Sequence, residues 1–175
     1  MIETQHSAIG LRHGTLVHVP YRERWPELFQ AEREMLREAI PSPEAEIEHI
    51  GSTSVPGLMA KPIIDIAVAV PEADHDDTAG SLEDLGYVDR GHRSGRLFIR
   101  LRDEDVRTHN LHLYHPDDPA MRDQIVFRDV LRRDPKVAHA YAALKYGIAQ
   151  RASRTEYAEE KALFIRRILL EASLH

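Results

Sequence analysis

Residues 62–70, PIIDIAVAV, constrain the fold more strongly than any other segment of this chain. The run is nearly all apolar, as in a central strand that is covered on both faces of its sheet. It contains one charged residue, Asp65, and a buried carboxylate is costly unless it is paired, binds a metal or lies at a functional site. We therefore predict a central strand over residues 63–70. Asp65 is expected either in a salt bridge, with Lys61 as the candidate partner, or in a site.

The hydrophobic periodicity of the remaining chain predicts an α+β domain with a mixed sheet. Strands are expected at residues 44–50, 63–70, 96–102 and 108–115, the last two as a hairpin. Helices are expected at residues 24–40, 77–85, 119–133, from 135 onward and at 153–172, with a short helical turn at 55–60. This order predicts an N-terminal helix, a sheet core over about residues 44–115 and a helical cap over about residues 119–172, in one domain of residues 12–175. Residues 1–11 are expected to form a flexible arm.

The composition limits the classes of function that the chain can have. Its 175 residues carry a formal net charge of −6, which gives no case for binding nucleic acid or an anionic membrane. The sequence contains no cysteine, so thiolate catalysis and cysteine-ligated zinc are excluded. No apolar run approaches the ~20 residues that a membrane span requires. We therefore expect a soluble cytoplasmic protein with no membrane partner.

The segment GSTS, residues 51–54, is the first candidate for chemistry. Gly51 permits a sharp turn, and the three hydroxyls with the backbone N–H groups can surround a phosphate. On the following strand, Asp65 shares a face with Ala67 and Ala69, which leave room beside it for a ligand. The alternative reading of GSTS is a turn that caps a short helix.

The segment THNLHLYH, residues 108–115, is the second candidate. Strand alternation puts Asn110, His112 and Tyr114 on one face, and His109 on the other. Histidine is suited to proton transfer near neutral pH, to phosphate contact and to metal ligation. The alternative is the polar outer face of a hairpin.

Basic side chains form a third group of candidates. Arg96, Arg100 and Arg102 share one strand face, where three like charges repel one another unless water or an anion covers them. Arg128 and Lys145 lie on predicted helices. The alternative for each of these two is a solvated charge whose stem covers apolar surface.

Several of these segments together resemble the GrpB family. The resemblance spans about residues 11–167 and rests on LRHGTLVHVPYRERWPELF near the start, HIGSTSVPGLMAKPIIDIAVAV (49–70), RTHNLHLY (107–114) and FRDVLRRDP (127–135). The spaced residues Tyr141, Lys145, Tyr157 and Lys161 also belong to it.

The resemblance implies a nucleotidyltransferase-like mixed sheet with an N-terminal helix and a C-terminal helical cap. In that superfold a Gly-Ser turn after the first strand holds the phosphates of a nucleotide, and two carboxylates spaced D-x-D on the next strand bind Mg²⁺. Gly51, Ser52 and Asp65 match the turn and the first carboxylate. Ala67 stands at the position of the second carboxylate, and this departure argues against two-metal chemistry.

We therefore expect a nucleotidyltransferase-like enzyme that acts on a nucleotide or another phosphorylated small molecule, with at most one Mg²⁺ ion. The residues expected at its site are Ser52, Asp65 and His112 for catalysis, Asp65 also as the metal ligand, and Gly51, Ser52, Thr53, Ser54, Lys61, Arg100, His109, Arg128 and Lys145 for the substrate or its phosphates. One alternative is a non-catalytic nucleotide- or phosphate-binding domain of the same fold. The other is an accessory module whose helical cap docks another protein, since in some relatives a similar domain is fused to dephospho-CoA kinase.

Overall fold

The computed structural model describes residues 8–151 and 154–174, and the side chains of these residues outside 148–157. The strands are β1 (Leu11–Arg12), β2 (Glu46–Ile50), β3 (Ile64–Ala69), β4 (Tyr87–Arg93), β5 (Gly95–Arg102) and β6 (Val106–Tyr114). The helices are α1 (Trp25–Ala39), α2 (His75–Asp84), α3 (Pro119–Arg133), α4 (Pro135–Arg151) and α5 (Arg154–Ser173). Among the described residues, no helix is both long enough and apolar enough to span a bilayer.

The strands form one mixed sheet in the order β2-β3-β6-β5-β4, with β1 paired to the start of β6. Only β3 and β6 run parallel in this sheet, and they place Asp65 beside Asn110 and Ala67 beside His112. The antiparallel pairing of β2 with β3 places Ile50 beside Asp65. Side chains of paired residues point to the same face, so Asp65, Asn110 and His112 share one face, as the alternation predicts.

Helices cover both faces of the two central strands. The larger core lies against α1 and α2, where Trp25, Leu36, Ile64, Leu82 and Leu111 are each fully buried. On the other face, Ala67 and Ala69 pack with Tyr114 and with Met121 of α3. A separate apolar cluster of Phe127, Leu131, Tyr141 and Ile168 joins α3, α4 and α5 into the predicted cap.

Three expectations about the elements are wrong. Residues 8–11 are not a flexible arm, because Ala8 and Ile9 are buried and the Trp25 indole donates to the carbonyl of Ala8. Residues 1–7 lie outside the described residues. The helical turn expected at 55–60 lies earlier, over Ser52–Ser54. Strand β4 was not expected, because it is a polar edge strand in which Tyr87 is the buried residue.

The arginine face of β5 has internal partners rather than a ligand. Arg96 pairs with Asp89 at 2.7 Å, and Arg102 donates to the carbonyl of Ile9 at 3.2 Å. Arg100 Nη1 donates to both carboxylate oxygens of Glu32, a residue of α1 that is only 4% exposed.

Glu32 organises a buried polar cluster on the face of the sheet opposite Asp65. Besides Arg100, it accepts a hydrogen bond from the hydroxyl of Tyr87 at 2.8 Å, and His109 Nε2 lies 3.8 Å away. The Thr108 hydroxyl donates to the Arg100 carbonyl and accepts from His109 Nδ1. Burial lowers the pKa of His109 to about 4, so the ring is neutral at pH 7. This cluster removes Arg100 and His109 from the expected site.

Replacing Glu32 with Ala should lower the free energy of unfolding by about 3 kcal/mol, since it leaves the partly exposed guanidinium of Arg100 and the buried hydroxyl of Tyr87 unpaired. Urea denaturation followed by circular dichroism measures the loss. Glu34→Ala, at an exposed position on the same helix, is the matched control and should change stability by less than about 0.5 kcal/mol. Equal effects of the two substitutions would contradict the structural role of Glu32.

Candidate functional site

The turn that follows β2 is shaped by the contact between Gly51 and Asp65. Gly51 has φ 71° and ψ −174°, a conformation that L-residues with a side chain rarely adopt. A Cβ atom at this position would collide with the Asp65 carboxylate. Only glycine satisfies both conditions, and it brings the start of the Ser52–Ser54 turn directly against the one charged residue of β3.

Only the first two residues of GSTS face the cavity described below. The Thr53 hydroxyl donates to the Ile63 carbonyl and lies 3.0 Å from His49 Nε2, and Thr53 is 1% exposed. The Ser54 hydroxyl donates to the Gly51 carbonyl. The hydroxyls of Thr53 and Ser54 therefore hold the turn together and are not placed to bind a phosphate in this cavity.

Asp65 and His112 line the sheet side of the cavity, and Asn110 lies beside Asp65 on the same face. Asn110 Nδ2 donates to Asp65 Oδ1 at 2.8 Å, which orients the carboxylate. The amide Oδ1 of Asn110 is buried and has no hydrogen-bond partner within the described part of the chain. His112 Nδ1 lies 2.8 Å from the Ser94 carbonyl, an acceptor, so Nδ1 carries a proton and Nε2 is the ring nitrogen outside this contact.

Lysine side chains supply the positive charge of the cavity. Lys145 of α4 is 3% exposed, and its Nζ donates to the Ser52 hydroxyl at 2.9 Å and to the Met59 carbonyl at 2.8 Å. The same Nζ lies 4.8 Å from the centre of the Tyr141 ring. Lys61, which follows the turn, and Lys161 of α5 also line the cavity.

The cavity has a volume of about 220 Å³ and lies between the sheet and the helical cap. Its polar lining consists of Gly51, Ser52, Asp65, His112, His18, Lys61, Gln124, Arg128, Lys145 and Lys161. Its apolar lining includes Ile50, Phe127, Leu131, Tyr141 and Ile165. The N-terminal segment contributes through the backbone pairing of Val19 with Ala60, which holds His18 beside Lys61.

The electrostatics of the cavity show an excess of positive charge. Burial, together with Lys161 and Lys61, lowers the pKa of Lys145 to about 7, and Asp65 opposes this shift. Burial and the same three lysines lower the pKa of His18 to about 4. An anion bound here would relieve the repulsion among these cations and favour the charged form of Lys145.

Arg128 lines the cavity, but carboxylates already balance its charge. Its Nη1 donates to Glu48 Oε2 at 2.6 Å and to the His49 carbonyl, and its Nε donates to Asp129. We expected Arg128 to bind substrate; its guanidinium instead ties α3 to β2.

The carboxylates do not fit a two-metal site. Glu48 lies in register with Ala67 on the face of Asp65, but its carboxylate is engaged by Arg128. No three His, Cys, Asp or Glu side chains in the described ranges are grouped so that they could hold a metal. Two-metal phosphoryl transfer keeps its ions about 3.5–4 Å apart with several carboxylates. A single Mg²⁺ at Asp65 would depend on ligand phosphates for further coordination.

The structure brings most, but not all, of the expected residues together. Gly51, Ser52, Lys61, Asp65, His112, Arg128 and Lys145 line the cavity, whereas Thr53, Ser54, Arg100 and His109 point elsewhere. His18, Gln124, Asn110 and Lys161 were not among the expected site residues. Asn110 could have been found from its strand alternation with His112, and Lys161 from its place in the resemblance. The side chain of Tyr157 lies outside the described residues.

The fold is nucleotidyltransferase-like. The Cid1 poly(U) polymerase, solved with Mg 3'-dATP bound, superposes with a TM-score of 0.54 over 74% of this chain and 43% of that chain, at 12% sequence identity. A crystal structure of the conserved protein GrpB from Enterococcus faecalis superposes with a TM-score of 0.76 over 89% of this chain and 96% of that chain, at 34% identity.

The chain belongs to the GrpB family. The family model described as GrpB protein matches residues 15–171. The UPF0157 protein YqkA of Bacillus subtilis is 36% identical over 137 residues, which are 74% of this chain. The match spans only 38% of the length of YqkA.

Gly51→Ala should destabilise the protein more than Gly57→Ala, although both glycines have positive φ (71° and 78°). At Gly57 an added Cβ meets no atom within 4 Å, so the cost is backbone strain of about 1 kcal/mol. At Gly51 the collision with Asp65 adds to that strain, and we expect a total of roughly 3 kcal/mol. Thermal and urea denaturation measure the difference; equal losses would show that the Gly51–Asp65 contact is not tight.

Proposed function

We propose that the cavity binds the phosphate groups of a nucleotide or another phosphorylated small molecule, with lysine ammonium groups as its main cations. The observation that carries this proposal is the position of Lys145. Its ammonium is buried beside the Ser52 hydroxyl, at the turn that approaches Asp65. A buried ammonium group is costly, and an anionic ligand would offset that cost.

The surroundings of Lys145 support an anion of more than one charge. Lys61 and Lys161 line the same cavity, and each depresses the pKa of Lys145 through its own positive charge. Asp65 is the one carboxylate in the described lining. The Ser52 hydroxyl accepts from Lys145 and keeps its own O–H, which can donate to an anion.

The apolar wall supports a ligand that is larger than a phosphate. Phe127, Leu131, Tyr141 and Ile165 lie beside the cationic groups. Ligand sites typically combine such a wall with a few polar groups that set orientation. A nucleoside or a similar organic group would occupy this side while its phosphates contact the lysines.

Lys145→Gln should weaken binding of the tightest ligand from a panel of nucleoside triphosphates and phosphate monoesters by roughly 10- to 100-fold, since a charge-assisted hydrogen bond contributes about 1.5–3 kcal/mol. Calorimetry in EDTA measures binding without divalent cations. Lys136→Gln, an exposed position on the same helix, is the matched control and should leave the affinity unchanged. Failure of every ligand to bind the unmodified protein, or equal binding by both variants, would contradict the proposal.

The affinity of the cavity for inorganic sulfate, which stays dianionic between pH 6 and 9, should fall as the pH rises above 7. The pKa of Lys145 in the free protein is about 7, and the bound anion raises it by favouring the ammonium form. Below pH 7 the group is already charged, so affinity is greatest there. Above pH 7 binding must also take up a proton, so affinity falls by at most about tenfold per pH unit.

Lys145→Arg tests the origin of this pH dependence. A guanidinium stays charged over the whole range, so the variant should bind sulfate with little change between pH 6 and 9. A pH dependence that persists in Lys145→Arg would assign the titrating proton to another group.

A second candidate function is nucleotidyl transfer at the same site. It is favoured by the carboxylate of Asp65, which Asn110 orients beside Gly51, and by His112, whose Nδ1 contacts the Ser94 carbonyl and leaves Nε2 as the ring nitrogen outside that contact. One Mg²⁺ bound by Asp65 and the ligand phosphates would neutralise charge on the transferred group. His112 would then accept the proton of the attacking hydroxyl.

Incubation of the protein with nucleoside triphosphates, Mg²⁺ and candidate hydroxyl acceptors should release pyrophosphate if this second function is correct. Asp65→Asn should abolish turnover and leave the binding measured in EDTA largely intact. Binding without turnover for every nucleotide and acceptor would instead favour a non-catalytic binding domain.

A further inference from the structure

A second polar pocket lies behind the Gly51–Ser54 turn, between α1 and α3. Its volume is about 300 Å³, which is within the range of small-molecule sites. The side chains that matter for its chemistry are Tyr21, Gln30, Arg33, His49, Arg128 and Arg132. Arg128 is the residue that it shares with the lysine-lined cavity; Asp65 and the three lysines do not line it.

Arg33 of α1 is the most informative residue of this pocket. Its Nε atom is buried and donates to no acceptor within residues 8–151 and 154–174. A buried N–H group without an acceptor costs about 1–3 kcal/mol, so proteins rarely leave one unless a ligand or water completes it. The partly buried Arg33 side chain faces a pocket that other guanidinium groups also line.

Arg132 of α3 provides the second guanidinium. Its Nε donates to the Ser54 carbonyl at 2.9 Å, which fixes its position, and the side chain is 39% exposed. Burial lowers its pKa most and the nearby charge of Arg128 adds to this, whereas Asp129, Glu48 and Tyr21 oppose the shift. Its ion pair with Asp129 is long, at 3.8 Å.

Negative charge within the pocket is limited. Glu48 lines it, but this carboxylate accepts a hydrogen bond from Arg128 at 2.6 Å. His49 is neutral, since burial and the two α3 arginines lower its pKa to about 3. Within the described part of the chain Arg33 has no ion pair, and the ion pair of Arg132 is its long contact with Asp129.

We propose that this pocket is a second binding site, for the phosphate group of a small molecule, and that it is separate from the lysine-lined cavity. Two guanidinium groups from different helices can each donate two hydrogen bonds to a tetrahedral oxyanion. The ligand phosphate accepts from the guanidinium groups of Arg33 and Arg132. Tyr21 and Gln30 lie where they can contact the remainder of the ligand.

Proton–nitrogen correlation spectra of the arginine Nε–H groups test the proposal directly in the full chain. Inorganic phosphate, titrated at constant ionic strength against chloride, should shift the Nε–H signals of Arg33 and Arg132 with one saturable curve. In Arg33→Gln, the phosphate concentration at the midpoint of the Arg132 shift should rise by roughly tenfold or more, as expected for loss of one charge-assisted contact. Arg37→Gln, one turn further along the exposed part of α1, is the matched control and should leave the curve unchanged.

Two further arms separate this site from the lysine-lined cavity and identify the source of the phosphate. Lys145→Gln should leave the Arg33 and Arg132 shifts intact, whether or not the first cavity binds phosphate. A nucleoside monophosphate should bind here more tightly than a phosphoserine peptide, because the pocket has the size of a small molecule. The proposal is overturned by an unsaturable Arg33 shift, by an unchanged midpoint in Arg33→Gln, by loss of the shifts in Lys145→Gln, or by tighter binding of the peptide.

Discussion

The whole architecture depends on burying both faces of the parallel pair β3 and β6. Their backbone groups are satisfied by neighbouring strands, and their side chains must be covered by helices above and below the sheet. The larger apolar core under α1 and α2 covers one face of this pair. The helical cap, through α3, covers the other face. A charged residue can be tolerated on such a strand only where the covering layer is incomplete. Asp65 occupies such a place, beside two alanines and under a cavity.

The cavity then combines contributions that differ in kind. The sheet supplies a single oriented carboxylate, whereas the cations come from the segment after the turn and from the helical cap. This balance favours direct binding of an anion over the assembly of several metal ions, because ammonium groups can neutralise phosphate charge without a carboxylate cage. Gly51 links the two parts, since its lack of a side chain lets Ser52 and Lys145 approach Asp65.

Two neighbouring residues of α1, Glu32 and Arg33, show that buried polar groups can serve different purposes. On the α1 face, Glu32 pairs with Arg100 and Tyr87 in a buried network whose members satisfy one another. Behind the turn, Arg33 has a buried donor with no acceptor in the described chain, although it lies one residue from Glu32. Residue identity does not distinguish these cases. The two cases differ in whether every buried donor and acceptor has a hydrogen-bond partner, because a satisfied polar group needs no ligand.

The amino-acid sequence alone determined the central strand, the helical cap, the faces of Asp65 and His112, and the family. These features depend on local periodicity, turn chemistry and a long specific motif. Only the tertiary structure decided that Arg100 and His109 lie beside Glu32, that Thr53 is internal, and that Lys161 reaches the cavity. Those outcomes depend on the order of the strands in the sheet and on where α5 lies relative to the cavity. Such contacts join residues far apart in the chain, and no local pattern encodes their partners.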